Sequence, residues 1–147
     1  VIPMAGAGSR FAKAGYKNPK PFIDVLGKPM ICHVLDNLNI PDAKFILLTR
    51  FEHYNNEQET VKWIKSNYKV EFVMIDKLTE GAACTVLHAH RLINNDTPLL
   101  IANSDQISLA NYRFITNNVL LCIHAKTRRE CLCTKQSSCQ WMFSKWN

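Results

Sequence analysis

The chain has 147 residues, 47% of them hydrophobic, and a formal net charge of +6, enough for one domain with a single sizeable core and short for two. Its longest apolar runs, such as Phe45 to Leu48 and Leu99 to Ala102, fall well below the roughly 20 residues that cross a bilayer, and no signal-peptide pattern opens it. The cytoplasm is therefore the expected compartment, with no membrane partner. The charge excess lies in the tail: residues 1–112 carry 12 Lys/Arg against 11 Asp/Glu, whereas residues 113–147 carry 6 against Glu130. Without a zinc-finger, heptad or RNA-binding pattern, that tail argues against a nucleic-acid partner.

Val1 to Ala5 predicts a buried strand running into the glycine loop Gly6-Ala7-Gly8. Because the strand begins at the first residue, the natural start is expected to lie upstream. Asn18-Pro19-Lys20-Pro21 is expected to be non-helical, since each proline removes a donor and pushes its predecessor to extended backbone. Phe22 to Leu26 predicts a short extended piece, Gly27-Lys28-Pro29 a turn, and Met30, Val34, Leu35 and Leu38 one face of a helix whose first turn suits Pro29.

Lys44 to Thr49 predicts a second strand, Glu57 to Asn67 a helix with Val61 and Ile64 inward, and Val70 to Ile75 a third strand. Gly81 to Leu92 predicts a helix, and Pro98 to Ala102 an apolar strand opening into Asn103-Ser104-Asp105-Gln106. This alternation implies an α/β fold of three layers, α/β/α, around a mostly parallel sheet. Residues 1–112 form the expected domain. Residues 113–147 are an atypical tail in which Val119 to His124 suits one more strand, while residues 127–147 have no clean period and scatter Trp141, Phe143 and Trp146 among polar residues. That tail is expected to add little to the fold.

Cys32 and Cys84 stand alone in apolar stretches and suit small buried hydrophobes. In the tail, Cys131 and Cys133 lack the two-to-four-residue gap of a structural zinc site, although Cys139 with His124 or Cys122 would complete a ligand set. His33, His88 and His90 have no partner at metal spacing and suit surface or packing roles.

In an open parallel sheet, ligands sit at the carboxyl ends of the strands. The first loop there, Gly6-Ala7-Gly8-Ser9-Arg10-Phe11, is neither a dinucleotide fingerprint, which needs a glycine where Phe11 stands, nor a P-loop, which needs Gly-Lys-Ser/Thr. Its amides suit wrapping an anion, with Arg10 offering a guanidinium fork for phosphate oxygens. Lys20, stiffened between two prolines, is a second phosphate candidate; taken alone it is an exposed turn lysine. Asp105 suits either a helix cap or a hard oxygen ligand for Mg²⁺.

The combination of Gly6, Gly8, Ser9, Arg10 with Pro19-Lys20-Pro21 and then Leu26-Gly27-Lys28-Pro29-Met30 resembles the sugar-1-phosphate nucleotidyltransferases, a family that includes the glucose-1-phosphate thymidylyl- and uridylyltransferases. The resemblance spans about residues 1–112 and implies a truncated, Rossmann-like fold of the GT-A type. It implies nucleotide binding by Ala5, Gly6, Ala7, Gly8, Ser9 and Arg10, and catalysis by Arg10 and Lys20. By the same resemblance, Gly81 accepts the base, or else is a packing glycine, and Asp105 holds Mg²⁺. The implied partners are a nucleoside triphosphate and a sugar 1-phosphate, and the implied reaction gives a nucleotide sugar and pyrophosphate. The alternatives are a nucleotide-sugar-dependent glycosyltransferase and an inactive nucleotide-binding fragment. A homo-oligomer is compatible with all three. Full-length members carry a second metal aspartate and further sugar contacts, and nothing in this chain matches them.

Overall fold

The first apolar run forms strand β1 (Ile2–Pro3), which pairs in parallel with β4 (Phe45–Arg50), setting Ile2 opposite Leu47 and Pro3 opposite Leu48. Strand β4 pairs in parallel with β5 (Val70–Ile75) over six positions. On the other flank the Val1 nitrogen donates to the Leu100 carbonyl at 2.6 Å, and the Ala102 N–H donates to the Val1 carbonyl at 3.0 Å. These bonds set β6 (Leu99–Ile101) beside β1. Beyond it, β7 (Val119–Cys122) runs parallel to β6, and β8 (Cys131–Thr134) returns antiparallel. The computed structural model describes residues 1–38, 40–107, 119–122 and 131–134. The spatial order β5-β4-β1-β6-β7-β8 follows.

Alternation of side chains along the strands sorts them into two cores. Ile2 and Leu47 face α2 (Met30–Leu38) and α4 (Gln58–Asn67), packing with Ile31, Val34, Leu35, Val61 and Ile64. Ile46, Leu48 and Ile75 face the opposite way, packing with Ala89, Leu92 and Ile93. A sheet buried on both faces between helices is the three-layer arrangement expected from the alternating sequence. Cys32 is fully buried on the inner face of α2, and desolvation pushes its thiol up to about 11, which keeps it a neutral packing group.

Several elements depart from the sequence expectation. The glycine loop leads into a short helix, α1 (Ser9–Lys13), and Lys20–Phe22 forms a 3-10 turn where no helical backbone was expected. That turn tolerates Pro21 because a proline near a helix start lacks only an N–H that has no intrahelical acceptor. A helix not foreseen, α3 (Phe51–Asn56), springs directly from β4, with Arg50 donating to the Glu52 carboxylate at 2.6 Å. The expected helix from Gly81 to Leu92 is two pieces, α5 (Ala82–Leu87) and α6 (His90–Ile93). Between them the His88, Ala89 and Leu92 N–H groups each bond three residues back, tightening the backbone around buried Ala89. Val119–Cys122 is a strand as expected; Cys131–Thr134 is a strand without a sequence signal. The rest of residues 113–147, including Cys139, His124 and the tail aromatics, lies outside the described residues.

Strands β2 (Asp24–Val25) and β3 (Lys28–Pro29) form a two-residue hairpin whose corner residues, Leu26 and Gly27, have φ of 52° and 86°. Positive φ at both corners is the type I′ pattern, natural for glycine and unfavourable for leucine. The Asp24 side chain accepts the Gly27 N–H at 3.1 Å, and the His33 Nε2–H donates to the Val25 carbonyl at 2.7 Å, tying the hairpin to α2. Leu26 is 94% exposed, so it gains no burial in return. Replacing it by asparagine, which tolerates this backbone, is expected to raise stability by about 0.5–1 kcal/mol. Urea unfolding checks this; an unchanged or lower midpoint for Leu26→Asn refutes it.

Candidate active site

Parallel strands β1 and β6 are neighbours in space, yet the chain between them runs out to β4 and β5 and back. The strand order therefore reverses between β1 and β6, and loops leaving their carboxyl ends must diverge, opening a crevice. Met4 and Ala5 are buried at the end of β1, after which the chain becomes exposed at Gly6. Gly8 takes the left-handed conformation (φ 61°, ψ 21°), and its carbonyl accepts the Phe11 and Ala12 N–H groups at 2.9 and 3.1 Å, starting α1. This turn leaves Ser9 and Arg10 exposed. Among the described residues Arg10 forms no ion pair, so its guanidinium is free to meet a ligand.

The 3-10 turn packs against this loop: a Cβ at Gly8 would lie 3.9 Å from both the nitrogen and the Cβ of Lys20. Pro21 and Phe22 are buried and anchor the turn, while the Phe22 N–H bonds to the Pro19 carbonyl at 2.8 Å. The Lys20 ammonium lies 5.2 Å from the centre of the Phe11 ring, within cation–π range, and forms an ion pair with Asp105. Asp105 belongs to the turn after β6, closed by Asn103 donating to the Gln106 side-chain oxygen at 2.8 Å.

A cavity of about 340 Å³ occupies the crevice, lined by Pro3, Met4, Gly6, Gly8, Ser9, Arg10, Phe11, Lys20, Pro21 and Ser104. The structure thus joins Gly6, Gly8, Ser9, Arg10 and Lys20 in one wall, with Asp105 attached through Lys20. Ala5 is buried, Ala7 is exposed, and neither lines the cavity. Gly81 does not line it either; it sits at the start of α5, which packs on β1. Its φ of 143° and ψ of 175° suit glycine alone, and its carbonyl accepts the Thr85 N–H and the Thr85 and Thr79 hydroxyls at 3.0, 3.0 and 3.3 Å. Phe11, Met4 and Ser104 are cavity residues that the sequence did not single out. The Phe11 position had a signal, since it follows Arg10 directly.

A larger cavity, about 440 Å³, opens at the amino ends of β1, β4 and β6 among Ile40, Phe45, Leu92 and Pro98. It is the larger of the two, but its walls are mainly aliphatic and it lies at the opposite end from the glycine loop, whereas the smaller cavity gathers the charged candidates Arg10 and Lys20. Among the described residues no group of three His, Cys, Asp or Glu side chains could hold a metal, and no Asp or Glu lines the cavity, Asp105 meeting it through Lys20. None of the described helices is long and apolar enough to cross a membrane.

The two loop glycines differ in a way that stability measurements can read. Gly8→Ala forces an alanine into left-handed backbone and is expected to cost about 1–2 kcal/mol. Gly6 lacks positive φ, and a methyl group added there would meet open space, so Gly6→Ala is expected to be neutral or to stabilise by up to about 1 kcal/mol. Thermal unfolding of both variants checks the contrast; equal losses refute the assigned loop conformation.

A family model described as nucleotidyl transferase matches residues 1–130, reaching past residue 112. The chain is 30% identical over 107 residues to the bifunctional protein GlmU of Methanococcus maripaludis (strain C7), covering 73% of this chain and 24% of that protein. It is 30% identical over 111 residues to a mannose-1-phosphate guanyltransferase of Yarrowia lipolytica, covering 73% of this chain and 30% of that protein. Among solved structures, the nucleoside-diphosphate-sugar pyrophosphorylase of Vibrio cholerae RC9 has a similar fold, with a TM-score of 0.57 and 23% identity over 71% of this chain and 46% of that one. The chain spans about a quarter of the length of the GlmU relatives it matches. With its fold, its glycine loop and the matched span together, the chain belongs to the nucleotidyl transferase family.

Proposed function

We propose that the cavity binds the phosphates of a nucleoside triphosphate and serves nucleotidyl transfer to a sugar 1-phosphate, giving a nucleotide sugar and pyrophosphate. The observation that carries this reading is the meeting of Gly8, Arg10 and Lys20 in one cavity at the carboxyl ends of β1 and β6. Names of relatives support the substrate class: one is a mannose-1-phosphate guanyltransferase and another a nucleoside-diphosphate-sugar pyrophosphorylase.

In such a reaction a sugar-phosphate oxygen attacks the α-phosphorus in line with the departing pyrophosphate, and the protein contributes positioning and charge neutralisation. The loop amides and Arg10 hold phosphate oxygens, Arg10 through a bidentate fork. Lys20, on its proline-flanked turn, places a point charge beside the reacting phosphates. A single carboxylate at the cavity edge suits Mg²⁺, which commonly binds through one or two carboxylates plus substrate phosphates and keeps several waters. Asp105 would hold it, and Mg²⁺ would supply neutralisation of the phosphate charge. Among the described residues no Asp or Glu lines the cavity itself, and Asp105 is joined to it through Lys20. That lone carboxylate favours a second reading, nucleotide binding without turnover, and pyrophosphate release separates the two.

Arg10→Ala and Lys20→Ala are each expected to weaken Mg²⁺-triphosphate binding by about 1.5–3 kcal/mol, or roughly ten- to hundredfold, with little loss of stability because neither side chain is in a core. Calorimetric titration of the intact chain with the four common nucleoside triphosphates checks this. Unchanged affinity in both variants removes the phosphate assignment.

A further inference from the structure

The two groups to which the proposed function assigns opposite ligands are bound to each other in the structure. Lys20 Nζ donates to Asp105 Oδ2, across 85 residues of sequence, and the two side chains are 28% and 34% exposed. One belongs to the 3-10 turn and the other to the turn after β6, so the ion pair ties together two loops beside the cavity. A phosphate arriving alone must compete with Asp105 for the ammonium. A divalent cation arriving alone must compete with Lys20 for the carboxylate. A metal–phosphate complex meets neither obstacle, because the metal takes the carboxylate as the phosphate takes the ammonium.

We infer that the Lys20–Asp105 ion pair is an exchange latch, coupling phosphate binding to divalent-cation binding by making each release the partner that the other needs. The latch rests on the phosphate-binding reading above. It is reciprocal, as any coupling between two binding equilibria must be: the cation raises phosphate affinity by the factor by which phosphate raises cation affinity. Phe11 gives the released ammonium a resting place, since its ring already lies 5.2 Å from Nζ, and so keeps Lys20 at the cavity wall in both states.

The latch makes a prediction whose sign is opposite to that of a simple loss of contact. Asp105→Asn removes the competitor, so metal-free anion should bind more tightly, not less. A partly exposed ion pair is worth about 1 kcal/mol or less, which converts to a gain of up to about fivefold. Removing a negative charge near an anion also raises affinity without any latch, and a double-mutant cycle separates the two causes.

The experiment titrates inorganic tripolyphosphate into the intact chain, without divalent cations and then with excess Mg²⁺. The proteins are wild type, Arg10→Ala, Asp105→Asn, Asp105→Ala, Lys20→Met and the Lys20→Met/Asp105→Asn double variant, each checked for folding by thermal unfolding. The expected result is tighter metal-free binding in both Asp105 variants, loss of the Mg²⁺ enhancement in both, and a clearly smaller gain from Asp105→Asn once Lys20 is methionine. Unchanged or weaker metal-free binding in both Asp105 variants overturns the latch, as does a gain from Asp105→Asn that is equally large with and without Lys20. If wild type binds tripolyphosphate and Arg10→Ala weakens that binding, such a result overturns the latch alone. Failure of every protein to bind tripolyphosphate overturns the phosphate reading and the latch together.

Discussion

Everything at the candidate site depends on two backbone hydrogen bonds, from the Val1 nitrogen to Leu100 and from Ala102 to Val1, which hold β6 against β1. They join segments about a hundred residues apart in sequence and set the carboxyl ends of two parallel strands side by side. From that junction the chain leaves in two directions: one loop carries the glycines and Arg10, the other carries Ser104 and Asp105. Were β6 placed at the far edge beyond β5, the same residues would exist but would not share a cavity. The strand order, more than any single side chain, therefore decides whether there is a site.

The two-faced core makes this junction a rigid reference. Leu47 and Leu48 are fully buried on opposite faces of β4, and both faces are filled by helices, so the sheet has little freedom to slide. Onto that platform the sequence attaches loops whose stiffness comes from different sources. Gly8 holds a left-handed turn at low cost, whereas the Lys20 turn is held by burial of Pro21 and Phe22. The result is an ammonium on a short, anchored segment rather than on a free loop, which lowers the entropy lost when it binds an anion.

Much of this was legible in the sequence where one physical signal dominated. The apolar runs of β4, β5 and β6 and the faces of α2 and α4 follow from burial alone. The glycine loop and Lys20 were legible as candidates because their residue types have few other uses at that spacing. Local backbone bonds that follow packing were not legible: the break at Ala89 arises because a buried alanine pulls the helix against the sheet, and α3 starts where β4 ends without any capping residue to announce it. Leu26 shows the converse, a residue at odds with its own turn, placed there by the hairpin and by His33. Nor was Thr49 foreseen as a fully buried hydroxyl without a hydrogen-bond partner among the described residues, or His53 as a buried imidazole with an unpartnered Nδ1. Burial first, then the Arg50 charge, holds that imidazole below its ordinary pKa. The Lys20–Asp105 ion pair was invisible because pairing across 85 residues is a property of topology.

The charges at the cavity make sense only as a set. Arg10, Lys20 and Asp105 together leave one net positive charge beside the cavity, and the ion pair cancels that of the lysine. Two bare cations there would attract any small anion, and a bare carboxylate would repel the triphosphate proposed as the ligand. Pairing the two solves both problems at low cost, because a partly exposed ion pair is weak enough to be exchanged. A triphosphate carries more negative charge than Arg10 and Lys20 can balance, so its tight binding calls for a further cation. On the proposed reading, the carboxylate that pairs with Lys20 would hold that cation, which would give Asp105 a role both in the ion pair and beside the bound phosphates.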